Sequence, residues 1–390
     1  MNICLITGEF PPMQGGVGDF TNELGKALAE LGCEVSVITS TKGQGRPPVP
    51  YPLSLFPVIE KWDWDSWRRI IGLLSEIRPH ILNIQYQAAA YGMHPAINFL
   101  PLRLRLGAKA RPRVVTTFHD LKVPYLFPKA GRLRWWVVLA LARWSDAVIV
   151  TNVEDLKKLS VYPFIRSLSV VPIGSNIAPR PPADYDRDRW RARWGVGPRD
   201  LLLSYFGFLN ESKGAETLVR ALGRLVQGGY NARLLMVGGK VGSSDPTNVA
   251  YLRKVEGLIE ELGLADRVLW TGYTPPEEVS ANLLASDVCV LPYRDGASFR
   301  RGSFMAALAH GLPIVSTRPR VDTPELRHGE NILFVPPDSP TALAGAIARL
   351  AEDPALRRRL GEGAAKLARN FTWEEIARKT RAVYQEILAA

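Results

Sequence analysis

The sequence predicts an α/β protein made of two doubly wound domains that face each other across a cleft. Three observations point there. Short runs rich in Val, Ile and Leu, without polar alternation, are separated by stretches of helical periodicity, the pattern of parallel strands covered on both faces. The series occurs twice, and "VPIGSNIAPRPPADYD", rich in Pro and Gly and poor in apolar periodicity, lies between the two runs as a linker. A chain of 390 residues suits two domains of roughly 100–200 residues better than one.

Taken in order, "NICLIT" reads as a strand, "GVGDFTNELGKALAELG" as an amphipathic helix and "EVSVIT" as the next strand. "ILNIQY", "RVVTTF" and "AVIVT" continue the series. After the linker, "LLLSYFG" is followed by the helix "GAETLVRALGRLVQGG" and the strand "ARLLMVGG". A helix near 247–263, "VLWTGY", a helix near 276–285, "VCVLPY", a helix near 303–310 and "PIVST" complete it. Both halves are thus Rossmann-like, and ligands are expected at the carboxyl ends of the strands.

Net charge is +11, a field that favours anionic partners such as nucleotides, nucleic acid or acidic lipid. No nucleic-acid-binding motif appears, so nucleic acid is not expected as a partner. Cys4, Cys33 and Cys289 each sit in an apolar run, have no metal-binding spacing and are odd in number. Buried reduced thiols, and hence a cytoplasmic protein, are the expectation. "MNICLITGEF" reads as a first strand rather than a leader, and no apolar run reaches the ~18–20 residues that span a bilayer.

Four segments carry candidate chemistry. In "PPMQGGVGDF", Gly15, Gly16 and Gly18 open the first helix and let backbone approach an anion at its start. The segment is not a clean G-x-G-x-x-G, and a turn without ligand is the alternative. "TTFHD" places His119 and Asp120 at the carboxyl edge of a buried strand, where imidazole could donate to a sugar hydroxyl or help position a phosphate. "YFGFLNESKGAETLVRAL" ends a strand at Gly207 and sets Lys213 at the mouth of the second sheet, able to neutralise a departing diphosphate. "DGASFRRGSFMAALAHGLPIVST" places Arg300 and Arg301 just ahead of a helix that begins near Ser303. Two cations there repel the helix dipole and each other unless an anion lies among them. Ser298, Ser303 and the amides from Gly302 onward would complete its cradle; a solvated loop is the alternative. A fifth segment, "RLRWWVVLALARW" (132–144), is basic and aromatic, either a core helix or, with "KWDWDSWRR", a surface for an anionic membrane.

Taken together, "GGVGDFTNELGKALAELGCEVSVIT", "TTFHD", "VPIGSN", "GFLNESKGAETLVRAL", "LLMVGG", "VLWTGY" and "AALAHGLPIVST" resemble the family 4 glycosyltransferases, retaining enzymes with the GT-B fold. The resemblance implies a nucleotide-sugar donor held mainly by the second domain and a hydroxyl acceptor, a glycan, glycolipid or small metabolite, held mainly by the first. It implies backbone contact to phosphate from Gly16, beside Gly15, an active-site histidine at His119 and a leaving-group lysine at Lys213. It sets Gly207, Gly238, Gly239 and Tyr273 near the nucleotide. The closing "FTWEEIARKTRAVYQEI" resembles the family's last helix, which returns to the first domain. The domains expected are 1–178, joined by about 372–390, and 179–371.

Two departures stand out. The arginine that usually follows the glycine matched by Gly207 is Phe208, and the family's two glutamates, eight positions apart, are Ser298 and Ala306. Arg300 or Arg301 is expected to replace the missing arginine in space. Asp295 is either a substitute for the ribose-binding glutamate or a turn residue. No D-x-D-like motif sits in a suitable loop, so neither metal nor cofactor is expected beyond the nucleotide-sugar. The rival reading is an inactive GT-B-like regulatory partner that binds a nucleotide or glycan. The location expected is cytoplasmic, with contact at the inner face of the membrane as the extension of the membrane reading.

Overall fold

The apolar runs become strands and the periodic stretches between them become helices. The computed structural model describes residues 1–13, 15–43, 52–107, 111–123, 131, 133–240 and 246–390. Arg132 and Gln14 lie outside the described residues. The chain divides into two units, Met1–Gly174 with Phe371–Ala390, and Ser175–Asn370. The sequence alone predicts these boundaries at 178/179 and 371/372, where the contacts put them at 174/175 and 370/371.

In the first unit the order is β1 (Asn2–Thr7), α1 (Gly16–Glu30), β2 (Glu34–Ser40), β3 (Leu53–Ile59), α2 (Ser66–Ile77), β4 (Ile81–Tyr86) and α3 (Ala96–Gly107). Then follow β5 (Arg113–Phe118), α4 (Leu133–Trp144), β6 (Ala147–Val150), α5 (Val153–Ser160) and β7 (Leu168–Val170). The described strands form one sheet in the order β3-β2-β1-β4-β5-β6-β7, every pair parallel. Because successive side chains alternate faces, Cys4 and Ile6 join a core with Ile70, Leu100, Val138 and Leu159. Ile3 and Leu5 join a second core with Phe20, Leu24 and Leu28 of α1. That second core also contains Ile376, Val383, Tyr384 and Ile387 of the last helix, α13 (Trp373–Ala389). The terminal helix therefore belongs to the first unit through its apolar stripe.

The second unit runs α6 (Arg187–Arg193), β8 (Leu201–Phe206), α7 (Ala215–Gln227), β9 (Ala232–Val237), α8 (Pro246–Glu261), β10 (Val268–Gly272) and α9 (Pro276–Ala285). It continues with β11 (Val288–Leu291), α10 (Gly302–Ala309), β12 (Ile314–Thr317), β13 (Leu333–Val335), α11 (Pro340–Glu352) and α12 (Pro354–Ala368). Its described sheet is again parallel, in the order β10-β9-β8-β11-β12-β13.

The strands absent from the sequence reading, β3, β7 and β13, all lie at sheet edges or beside them, where pattern is weakest. β3 carries Pro57, which an edge tolerates. β7 and β13 are three residues each. Helices α11 and α12 carried a readable start: Ser339 and Asp353 accept from the backbone N–H of Ala342 and Leu356, and each is followed by Pro.

Several arginines that raise the net charge are structural. Asp146 takes hydrogen bonds from Arg105 and Arg111 at 2.7–2.9 Å and from the Val114 N–H. Burial alone would raise its pKa, but these partners hold it below the ordinary value. Asp287 likewise binds Arg187 and the buried Arg191. In α4, Val138, Leu139, Leu141 and Ala142 are buried while Trp136 is exposed. The apolar part of that segment is thus core, as the first of its two readings has it.

One backbone position governs how the second unit presents its lysine. Gly214 sits at φ +70°, and a Cβ there would lie 2.1 Å from the Pro292 carbonyl oxygen. Gly214→Ala is expected to cost about 2–4 kcal/mol, combining a left-handed strain with overpacking. Urea unfolding followed by circular dichroism measures it; a cost below the error of the fit would show that the loop moves freely.

Candidate active site

In the second unit the strand order reverses between β8 and β11, and the crevice beyond their carboxyl ends is where an open α/β sheet takes a ligand. Two loops meet there. The first leaves β8 at Gly207, φ +109°, makes a single 3-10 turn over Glu211–Lys213, and enters α7. It folds the lysine back over the strand end. A Cβ on Gly207 would stand 2.9 Å from the Lys213 Nζ, so a side chain there would displace the lysine end, and the positive φ itself favours glycine.

The second loop leaves β11 and ends at Arg301, the N-cap of α10, where no side chain caps the helix. The Arg301 guanidinium lies 4.1 Å over the Tyr293 ring and pairs with Asp295. The Tyr293 hydroxyl is 2.7 Å from the Ser303 Oγ. Ser298 shapes the turn: its Oγ accepts from the Arg300 N–H and its carbonyl from the Arg301 N–H. Arg300 is exposed, and Gly302 is exposed at the first turn of α10.

Lys213, Arg301 and the start of α10 therefore gather positive charge at one spot. Among the described residues no carboxylate pairs with Lys213. Burial lowers its pKa to about 8, and the Arg301 charge pushes in the same direction. The ammonium is held in a setting that an anion would relieve.

The glycines that the family resemblance sets near a nucleotide border this spot. Gly238, φ +101°, bridges to Gly272, and a Cβ on it would be 3.8 Å from Gly207. Gly239 is covered by Phe208, whose ring would stand 2.8 Å from a Cβ there. Phe208 is itself half exposed, and Tyr273 is exposed. Ala306 is fully buried inside α10, so a ligand cannot reach the position of the missing glutamate without repacking. Asp295 is engaged by Arg301, which favours its reading as a loop residue over the ribose one. Tyr293 escaped the sequence reading because an aromatic residue after a buried strand reads as core.

The first unit holds Gly15, Gly16 and His119. The α1 amides of Val17 and Gly18 donate to the Glu9 carboxylate at 3.1 and 3.4 Å, so this chain supplies its own anion at the helix start. That carboxylate fills the space a Gly15 Cβ would need, while the space at Gly16 is open. Glu9 lies too far upstream of the helix for a capping box to reveal it. His119, buried at the end of β5, has its Nε2 2.9 Å from the Gln85 Oε1 and packs edge-on against Phe20 of α1, 4.7 Å between centroids.

Two family models match the chain: "Glycosyltransferase Family 4" over residues 14–177 and "Glycosyl transferases group 1" over residues 200–353. A D-inositol 3-phosphate glycosyltransferase of Corynebacterium efficiens is 31% identical over 253 residues, covering 63% of this chain and 58% of that protein. The match thus spans little more than half the length of that relative. Sucrose-phosphate synthase from Thermosynechococcus elongatus has a similar structure, with TM-score 0.74 and 25% identity over 100% of this chain and 99% of its own. HepE of Anabaena, solved in complex with UDP, has TM-score 0.75 and 16% identity, covering 99% of this chain and 100% of its own, and shares the fold. With one match on each unit and both sheets wound as the GT-B fold requires, the chain belongs to the family 4 glycosyltransferases.

Proposed function

We propose that the protein is a retaining glycosyltransferase that moves a sugar from a nucleotide-diphosphate sugar to a hydroxyl acceptor, a glycan, a lipid-linked saccharide or a small metabolite. The observation that carries this reading is Lys213, half-buried beside Arg301 at the β8/β11 reversal without a carboxylate partner among the described residues. Such an ammonium is poised for the charge that develops on a leaving diphosphate. In the transfer, the bond from the anomeric carbon to the phosphate oxygen breaks and its electron pair goes to the phosphate. The acceptor oxygen bonds to that carbon on the same face and its proton passes to the departing phosphate. Lys213 and Arg301 stabilise the new charge, and His119, by the family likeness, serves the transferred sugar. Side-chain cations carry the stabilisation, so turnover should survive EDTA.

The test is a thermal-shift series with UDP-, GDP- and ADP-linked sugars, followed by donor hydrolysis and the anomeric configuration of the product by NMR. A matching donor at 100 times its Kd should add about 2.7 kcal/mol of stability. No shift with any nucleotide, and no hydrolysis, would remove the proposal. A shift without hydrolysis or transfer would favour the inactive binding partner, the reading that the absent carboxylates at Ser298 and Ala306 support. Among the described residues no helix is long and apolar enough to cross a membrane. The exposed Trp136 supports peripheral contact, as a part of the same proposal that liposome sedimentation would test.

A further inference from the structure

We propose that Gln85 is a positioning residue that holds His119 as its Nε2–H tautomer. The proposal rests on the reading of His119 as a functional histidine. One face of the first sheet is apolar across Leu5, Ile81, Val115 and Ile149, yet Asn83, Gln85 and Thr117 stand in a row on it. All three are buried, at 0%, 0% and 2% exposure. Buried amides are costly unless every group is paired, and this row is paired end to end. The Asn83 Nδ2 donates to the Thr117 Oγ1 at 3.1 Å, and the Gln85 Nε2 donates to the Asn83 Oδ1.

An amide has one donating end and one accepting end. With its NH2 directed at Asn83, Gln85 offers His119 only its oxygen, 2.9 Å from the Nε2. The ring nitrogen facing that oxygen must carry a proton, and the lone pair of the neutral ring is placed on Nδ1. Orientation is fixed as well. Phe20 meets the imidazole edge-on and is itself backed by Trp373 of α13, 5.3 Å between centroids. The returning terminal helix thus helps hold the ring that the strand amides polarise. A β4 residue acting through a β5-loop histidine lies 34 positions from it in sequence, and no motif spacing reveals it.

The test is long-range 15N–1H correlation NMR on the full chain with 15N-labelled histidine, the His119 signals being identified by their loss in His119→Asn. The wild-type chain should show Nε2–H for the neutral ring. Gln85→Glu keeps an accepting oxygen and should preserve the tautomer. Gln85→Leu should give a mixture and lower kcat about 10–100-fold with donor KM nearly unchanged, the range for losing the partner that orients a functional histidine. A wild-type signal from Nδ1–H, or an unchanged tautomer in Gln85→Leu, would overturn the proposal. The wild-type spectrum decides even if the leucine variant fails to fold. A fixed Nε2–H signal in a chain with no transfer activity would leave Gln85 in its role and remove the glycosyl-transfer reading instead.

Discussion

Lys213→Met is expected to lower kcat/KM about 100- to 1000-fold and, in the same protein, to raise the melting temperature. The first effect is the size of losing one preorganised group that stabilises developing negative charge. The second follows from the surroundings of the lysine. Its charge is desolvated, lies near Arg301 and meets no carboxylate among the described residues. The folded apo chain therefore carries an electrostatic cost, and methionine removes the charge while keeping most of the volume. The pH dependence has a definite sign. With a folded pKa of about 8, below the ordinary 10.5, the unfolded chain binds a proton between those values that the folded chain lacks. Wild-type stability should then gain from this group as pH rises from about 8 to 10.5, and the methionine variant should lose that gain. Donor binding should raise the lysine pKa again, seen calorimetrically as proton uptake near pH 8–9. A variant that is less stable at pH 7, or that turns over normally, would contradict the assignment.

Arg301→Ala is expected to lower kcat/KM about 100-fold or more, whereas Arg300→Ala should stay within about fivefold, the reach of an exposed charge. The two arginines are adjacent, and only packing separates them. Arg301 lies over Tyr293, is tethered by Asp295 and is close enough to Lys213 to affect its ionisation. Arg300 is exposed. Arg301→Lys should restore little, because an ammonium cannot keep the planar stack on Tyr293 together with the Asp295 pair. The relocation has its own check in Phe208→Arg made on the Arg301→Ala background. Phe208 is half exposed beside Gly239, so an arginine fits without disturbing the core. Partial recovery of turnover would show that the charge, rather than its place in the sequence, is what the site requires. Wild-type kcat/KM in both single variants would refute the idea.

Much of this arrangement is legible in the sequence alone. Strands such as "NICLIT" and "VCVLPY" are buried on both faces, so they read as unbroken apolar runs. Gly207 and Lys213 were legible because a glycine at a strand end and a lysine before an amphipathic helix are local signals. The edge strands and Pro57 were not, since an edge has fewer neighbours to select an apolar pattern. Glu9, Tyr293 and Gln85 were not, because each acts on a group brought near by folding.

The sequence by itself determined the class of fold, the two-part organisation and the loops that would bear charge, since periodicity, glycine and helix starts depend only on near neighbours along the chain. Tertiary structure alone decided which arginine lies near Lys213, what Asp295 pairs with, which anion sits at the first helix and which amide faces His119. Those choices turn on distance, burial and the direction of hydrogen bonds between residues 6, 8 and 34 positions apart, spacings that no helical or strand period encodes.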